Sequence, residues 1–232
     1  MNKLNNLISI VVPVYNESDS IRLLINEIIN VMKSHQLLFE LIIVNDGSVD
    51  STSNVLENLS LEIKQLTVIN LRKNYGQTAA LAAGFDHSNG DIIVTLDGDL
   101  QNDPNDIPKL ITNINEGYDL ICGWRFQRKD KLLNRRIPSQ IANRLIGNVT
   151  GIHLHDYGCS LKAFKHEIIK DIKLYGELHR FLPVLANIEG AKIKEIKVNH
   201  RSRKYGQSKY GIDRTFRVLM DLLTVWFMNK FL

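Results

Sequence analysis

Ile92-Ile93-Val94-Thr95-Leu96-Asp97-Gly98-Asp99-Leu100-Gln101-Asn102-Asp103-Pro104 is an apolar, β-branched run that ends in closely spaced carboxylates at a glycine turn. An unbroken apolar run of this length marks a strand covered on both faces, as in parallel sheets flanked by helices. Three such runs precede it, at residues 7–14, 39–44 and 66–70. Between them lie helical patterns: Ile21, Leu24, Ile25, Ile28, Ile29 and Met32 recur at helical spacing, with Ser18 or Asp19 placed to cap that helix, and residues 75–85 are rich in alanine. Strands alternating with helices imply βαβ units, hence an α/β fold with a mainly parallel, doubly wound sheet and right-handed crossovers. Ligands of such a sheet bind beyond the carboxyl ends of its strands. The polar clusters at residues 15–17, 46–48, 72–76 and 97–101 all fall there.

After Asp119 the pattern changes. Residues 120–125 read as a further strand. Leu133, Ile137, Ile141, Leu145 and Val149 then recur every fourth position, with Arg135, Arg136, Ser139, Asn143 and Arg144 on other faces. This predicts one or two amphipathic helices, kinked or started at Pro138, that lie on the core or at a membrane interface. Residues 160–164 form a short strand, 165–172 and 178–188 helices, and 193–198 an edge strand. Residues 201–211 form a basic, glycine-punctuated loop. Residues 212–232 form a mostly apolar helix with Asp213, Arg217, Asp221 and Thr224 as its polar stripe. The expected organisation is one α/β domain over residues 1–211 and an amphipathic or juxtamembrane helix over 212–232.

The 232 residues carry a net charge of +4, which conceals an asymmetry. Residues 1–120 hold 7 Lys and Arg against 16 Asp and Glu, a balance of −9, whereas residues 121–232 hold 22 against 9, a balance of +13. An acidic half and a basic half suggest that the basic one meets an anionic partner. Cys122 and Cys159 lack metal-ligand spacing and are expected to be packing residues in a reducing compartment. The N-terminus lacks a signal-peptide pattern, so a cytosolic start is expected. No apolar run reaches the roughly 18 residues of a membrane span.

Carboxylates at the end of a buried strand point to a divalent metal held against a phosphate. Asp97, Asp99 and Gln101 are expected on one side of an extended segment, facing the same crevice as Asp46. Mg²⁺ and Mn²⁺ favour oxygen ligands, and Mg²⁺ is typically held by one or two carboxylates together with substrate phosphates and water. The chain has neither a Gly-x-x-x-x-Gly-Lys-Ser/Thr loop nor a Gly-x-Gly-x-x-Gly turn, which argues against an ordinary NTPase or a dinucleotide oxidoreductase. A diphosphate without those cradles suggests a nucleotide-sugar.

Val12-Pro13-Val14-Tyr15-Asn16-Glu17, Val44-Asn45-Asp46-Gly47-Ser48, the Asp97-to-Pro104 segment and His200-Arg201-x-Arg203-x-Tyr205-Gly206-x-Ser208-Lys209-Tyr210-Gly211 occur in that order. Together, over roughly residues 7–215, the chain resembles the inverting family 2 glycosyltransferases, specifically the polyprenyl-phosphate (dolichyl-phosphate) hexosyltransferases. The resemblance implies a GT-A type fold with C-terminal, membrane-associated amphipathic helices. It implies that Pro13, Tyr15, Glu17, Asp46 and Asp97 bind the nucleotide-sugar, and that Asp99 and Gln101 hold Mg²⁺ or Mn²⁺. Arg125, Arg135, Ser139, Arg203 and Lys209 would bind the lipid phosphate, and Asp97, Asp99 and Arg125 form the catalytic set. The implied donor is UDP-glucose or GDP-mannose and the implied acceptor polyprenyl phosphate, at the cytoplasmic membrane face and with no nucleic acid.

Chemistry supports that division of labour. A phosphomonoester is mostly dianionic near pH 7, since its second pKa is about 6. Such an acceptor needs no general base; it needs cations that position it, and arginine recognises phosphate bidentately. Two alternatives stand beside this reading. A family 2 enzyme acting on a saccharide hydroxyl would need a base, and a non-catalytic anion- or nucleic-acid-binding module would use the basic half alone.

Overall fold

The computed structural model describes the backbone of residues 6–126, 137–205 and 213–231, and the side chains of these except 137–141, 213–219 and 229. Four strands and three helices alternate through the first part: β1 (Ile8–Val14), α1 (Ile21–Ser34), β2 (Phe39–Asn45), α2 (Thr52–Glu62), β3 (Leu66–Asn70), α3 (Gln77–Asp86) and β4 (Ile92–Thr95). Then follow a 3₁₀ turn (Pro104–Asp106), α4 (Ile107–Asn115), β5 (Leu120–Arg125), α5 (Ile137–Thr150), β6 (Lys162–Lys165) and α6 (His166–Lys170). A second 3₁₀ turn (Leu178–Phe181), α7 (Leu182–Ile188), β7 (Ile193–Val198) and α8 (Asp213–Phe231) complete the order.

The seven strands form one sheet in the order β3-β2-β1-β4-β6-β5-β7. β3, β2, β1 and β4 are parallel, as their apolar runs predict. Alternation along each strand serves two cores. Ile10, Val12 and Val14 join Leu41 and Ile43 beneath α1, α2 and α4, while Val11, Ile42 and Val44 pack with Ala80, Leu81 and Phe85 of α3 on the other face. Pro13 is tolerated inside β1 because pairing with β4 ends at Val11, so on that side no ladder needs its missing N–H.

β6 departs from the parallel expectation, running antiparallel to both β4 and β5. The chain leaves β5 at the crevice end of the sheet, forms α5 without crossing back, and re-enters from the same end. Residues 151–161, which lie between α5 and β6, are thereby kept on the crevice side. β7 is the edge strand that its alternation suggests, parallel to β5. The expected helix over residues 178–188 is a 3₁₀ turn followed by α7, with Pro183 in the first turn of the helix.

At the start of α1 the capping residue is Ser20, one or two positions later than expected. Its hydroxyl points to Glu17 and Gly98 instead of the helix N–H groups. α8 contacts α5 and α7 and buries Leu222 and Val225 among Ile146, Tyr157, Phe181 and Leu185. Asp221, expected on an outer polar stripe, turns inward and accepts the Glu177 N–H at 2.8 Å. Asp213 and Arg217 have side chains outside those described. Among the described residues no helix is long and apolar enough to cross a membrane.

Candidate active site

The loops that follow β1, β2, β3 and β4 meet at one end of the sheet. Asn16 ties the first to the second: its N–H donates to Ser48 Oγ at 2.9 Å and its side-chain oxygen accepts from the Val49 N–H at 2.9 Å. The Glu17 N–H donates to Thr52 Oγ1 at 2.9 Å. Asp46 ties the second loop to the third, accepting the N–H groups of Tyr75 and Gly76 at 2.7 and 2.9 Å. Burial raises the Asp46 carboxyl above its ordinary value even though both N–H groups favour its charged form. Asp46, implied to bind the nucleoside, thus braces the residues that lead into α3.

Gly47 makes that approach possible. Its φ of +65° is left-handed, and a Cβ there would lie 2.3 Å from the carbonyl carbon of Lys73 and 2.6 Å from the nitrogen of Asn74. Gly47→Ala is therefore expected to cost about 3 kcal/mol, through backbone strain plus displacement of residues 73–76. The midpoint of urea-induced unfolding measures it, and an unchanged midpoint would mean that this loop yields freely.

The acidic wall follows β4. Asp97 Oδ1 accepts from Gln77 Nε2 at 2.8 Å, and the Asp97 N–H donates to Asn102 Oδ1 at 3.2 Å. The segment is a turn, not the extended piece expected from the sequence. Leu100 is left-handed at φ +63° and buried, and Asp99 Oδ1 accepts the Gln101 N–H at 3.1 Å. A buried leucine held in this conformation stores strain where the site is built. The turn brings Asp99 and Gln101 together, because Arg203 Nη2 lies 2.5 Å from Asp99 Oδ2 and 3.3 Å from Gln101 Oε1. Asp99 is 7% exposed. Burial first, then the charge of Asp97, pushes its carboxyl up to about 6, against the opposing pull of Arg203 and the Gln101 N–H.

The basic wall holds Arg125 and the loop before β6. The Arg125 guanidinium grips Asp156 through Nε at 2.6 Å and Nη2 at 2.8 Å, with side chains only 13% and 6% exposed. Burial lowers the guanidinium's affinity for its proton, but the ion pair outweighs it and holds Arg125 above its ordinary value. Between the two walls lies a small cavity lined by Pro13, Gln77, Asp97, Ser160, His179 and Arg180. His179 Nδ1 stands 2.7 Å from Thr78 Oγ1 at the start of α3.

Of the residues singled out in the sequence, the structure gathers Pro13, Glu17, Asp46, Asp97, Asp99, Gln101, Arg125 and Arg203 at this end of the sheet. Tyr15 sits in the same β1–α1 loop, half-buried. Arg135, Lys209 and the Ser139 side chain lie outside the described residues. Sequence reasoning missed Gln77, Asn102 and Ser20. Gln77 directly follows the polar cluster 72–76 and opens α3, which was the available signal. Asn102, central to Asp97 and Ser160, lies inside the quoted acidic stretch.

The oxygens here fit a divalent cation. Asp99 and Gln101 already share one positive partner in Arg203, and Asp97 and Glu17 add negative charge. Among the described residues no group of three or more His, Cys, Asp and Glu side chains is placed to hold a metal ion.

Residues 9–173 match the model of Glycosyl transferase family 2. The chain belongs to that family. It is 47% identical over 228 residues to a dodecaprenyl-phosphate galacturonate synthase of Rhizobium johnstonii, covering 97% of this chain and 68% of that protein. It is 40% identical over 220 residues to an undecaprenyl-phosphate 4-deoxy-4-formamido-L-arabinose transferase of Shewanella sediminis, covering 94% and 66%. The chain thus spans about two thirds of the length of these relatives. Their names bear out the polyprenyl-phosphate branch that the motifs resemble. Among solved structures, mannosyl-3-phosphoglycerate synthase from Rubrobacter xylanophilus superposes with a TM-score of 0.77 at 14% identity, covering 96% of this chain and 74% of that one. Glucosyl-3-phosphoglycerate synthase from Mycobacterium tuberculosis, in complex with Mn²⁺, UDP and phosphoglyceric acid, gives 0.68 at 18%, covering 97% and 78%. The family 2 chain has the GT-A type of fold expected from its motifs.

Proposed function

We propose that this chain transfers a sugar from a nucleoside diphosphate to polyprenyl phosphate, with inversion at the anomeric carbon, on the cytoplasmic face of a membrane. The observation that carries the reading is the state of the carboxylates on the basic wall. Both oxygens of Asp156 are gripped by Arg125. Glu195 accepts the N–H groups of His155 and Asp156 and stands 2.7 Å from His155 Nδ1. Both carboxylates are thus committed to protein partners. A phosphate acceptor needs no general base, since it arrives ionised. Relatives named for dodecaprenyl and undecaprenyl phosphate support the same acceptor.

In this reading Asp97, fixed by Gln77 and Asn102, faces the donor. Glu17, Tyr15 and the loop braced by Asp46 hold the nucleoside, while Arg125 with Arg203 and Lys209 orients the incoming phosphate. A divalent metal on Asp99 and Gln101 would supply charge neutralisation for the departing nucleoside diphosphate. The test is release of nucleoside diphosphate in the presence of Mn²⁺. It should occur on addition of undecaprenyl phosphate and not of a saccharide acceptor; the opposite preference overturns the reading. Glucose and mannose, implied by the motifs, stand beside galacturonate and 4-deoxy-4-formamido-L-arabinose, for which the relatives are named, as the sugars to compare. A thermal-shift series over their UDP and GDP forms ranks them, since a ligand of the native state raises its stability.

Membrane attachment is proposed through α8. Opposite the buried Leu222 and Val225 it exposes Met220, Leu223, Trp226, Phe227 and Phe231, with Lys230 Nζ over the Trp226 and Phe231 rings. Aromatic residues beside a lysine suit the headgroup boundary. The double variant Leu223→Ser, Phe227→Ser is expected to lower co-sedimentation with anionic phospholipid vesicles several-fold. Undiminished binding would exclude this face.

A further inference from the structure

Arg203 stands where a cation is expected. Its Nη2 bridges Asp99 Oδ2 and Gln101 Oε1, the two groups assigned to a divalent metal. The chain just before it is pinned in several places. The Asn199 N–H donates to Asp106 Oδ2 at 2.6 Å, and the Arg201 N–H to the Gln101 carbonyl at 2.8 Å. The Arg201 guanidinium is clamped by Glu27 at 2.6 Å and Asp103 at 2.8 Å. His200 forms a bridge with Asn102. Arg203 therefore extends from two residues beyond a fixed anchor. The Arg203 side chain is 23% exposed and that of Asp99 9%, so the pair opens to solvent from the arginine side.

We propose that Arg203 is the resting counterion of the metal position, displaced when a divalent cation binds. The groups facing the position are Asp97, Asp99 and Glu17, which repel one another when no cation is near. A monovalent guanidinium relieves that repulsion through hydrogen bonds that point at the lone pairs a metal would use. A divalent ion places more charge on the same oxygens, and the two cations exclude each other by contact and by like charge. Binding of the ion releases the arginine beside an anchor already fixed at Arg201, with a planar fork suited to phosphate. Metal loading and delivery of a phosphate-binding group thus become one exchange. The fate of the freed arginine rests on the proposed function; the exchange does not.

The test is Mn²⁺ binding to the metal-free, full chain without nucleotide, read by the free-Mn²⁺ paramagnetic resonance signal. Arg203→Gln is expected to bind about fivefold more tightly than the wild type, the size of a partly exposed ion pair removed as competitor. Arg203→Lys, charged but without the fork, should fall between them, and Asp99→Asn should bind least. In thermal unfolding, metal-free Arg203→Gln should melt lower than the wild type, and Mn²⁺ should raise its melting temperature by more. Equal or weaker Mn²⁺ affinity in Arg203→Gln overturns the exchange, as does binding retained in Asp99→Asn. Competition without lipid-phosphate-dependent transfer would leave the exchange standing and sink the proposed function; transfer without competition does the reverse.

Discussion

Asp99→Asn is expected to lower sugar transfer about a thousandfold and, in the metal-free protein at pH 8, to raise the melting temperature. The loss follows from removing the buried charge that faces the departing diphosphate, an effect of about 10² to 10³ where one preorganised group is lost. The gain follows from linkage. The Asp99 carboxyl is pushed from 3.8 up to about 6, by burial first and then by Asp97. A raised carboxyl binds its proton more tightly in the native state than in the unfolded chain. The native state therefore carries no penalty below about pH 4, an increasing one between about pH 4 and 6, and the whole of it above. The full shift corresponds to about 3 kcal/mol as an upper bound. That figure already contains the opposing pull of Arg203. A net gain of 1 to 2 kcal/mol raises the melting temperature by about 3 to 6 °C in a chain of this size. Thermal scans at pH 8 and pH 4.5 check the sign, because the difference should shrink at the lower pH. A variant that melts lower than the wild type at pH 8 would show that the Arg203 pair outweighs the burial cost.

The site is an unequal bargain between fold and chemistry, and the sequence displayed one side of it. Runs such as Ile8–Val14 and Ile92–Thr95 are apolar on both faces, so their place inside a helix-covered sheet could be read directly. Carboxylates just past their ends could be placed as well, since strand ends in such a sheet share one edge. Periodicity did not carry the direction of β6, which depends on where the chain goes after β5. It could not show Leu100 in a left-handed conformation, because nothing in leucine itself favours one. Nor did it show that Arg125 would be paired with Asp156, across 31 residues of sequence. Contacts of that kind are set by the topology, which has to be known before the partners can be named. The family resemblance only implies a phosphate-binding role for Arg203, while the structure adds its contact with Asp99 and Gln101.

The largest stability effect is expected at the Arg125–Asp156 pair. Asp156→Asn leaves a guanidinium that is 13% exposed without its charge partner. Breaking a buried ion pair on one side costs about 3 to 5 kcal/mol, and thus about 10 °C or more in melting temperature. Arg125→Met should cost a comparable amount, because it leaves the Asp156 carboxylate, 6% exposed, without the guanidinium that neutralises it. The double variant Arg125→Met, Asp156→Leu replaces both charges by apolar groups. It should recover much of the loss, since the desolvation that the pair overcame is no longer incurred. Activity discriminates where stability does not. If Arg125 only braces residues 156–160, the recovered double variant should recover transfer too, with an unchanged KM for lipid phosphate. If Arg125 orients the acceptor, the double variant should be folded, stable and still deficient, with the deficit in its use of lipid phosphate. The second outcome is expected, because an arginine fixed through Nε and Nη2 still presents a further edge of its guanidinium, and a carboxylate that neutralises it also holds that edge in place. The pair would then serve the acceptor by orientation more than by net charge.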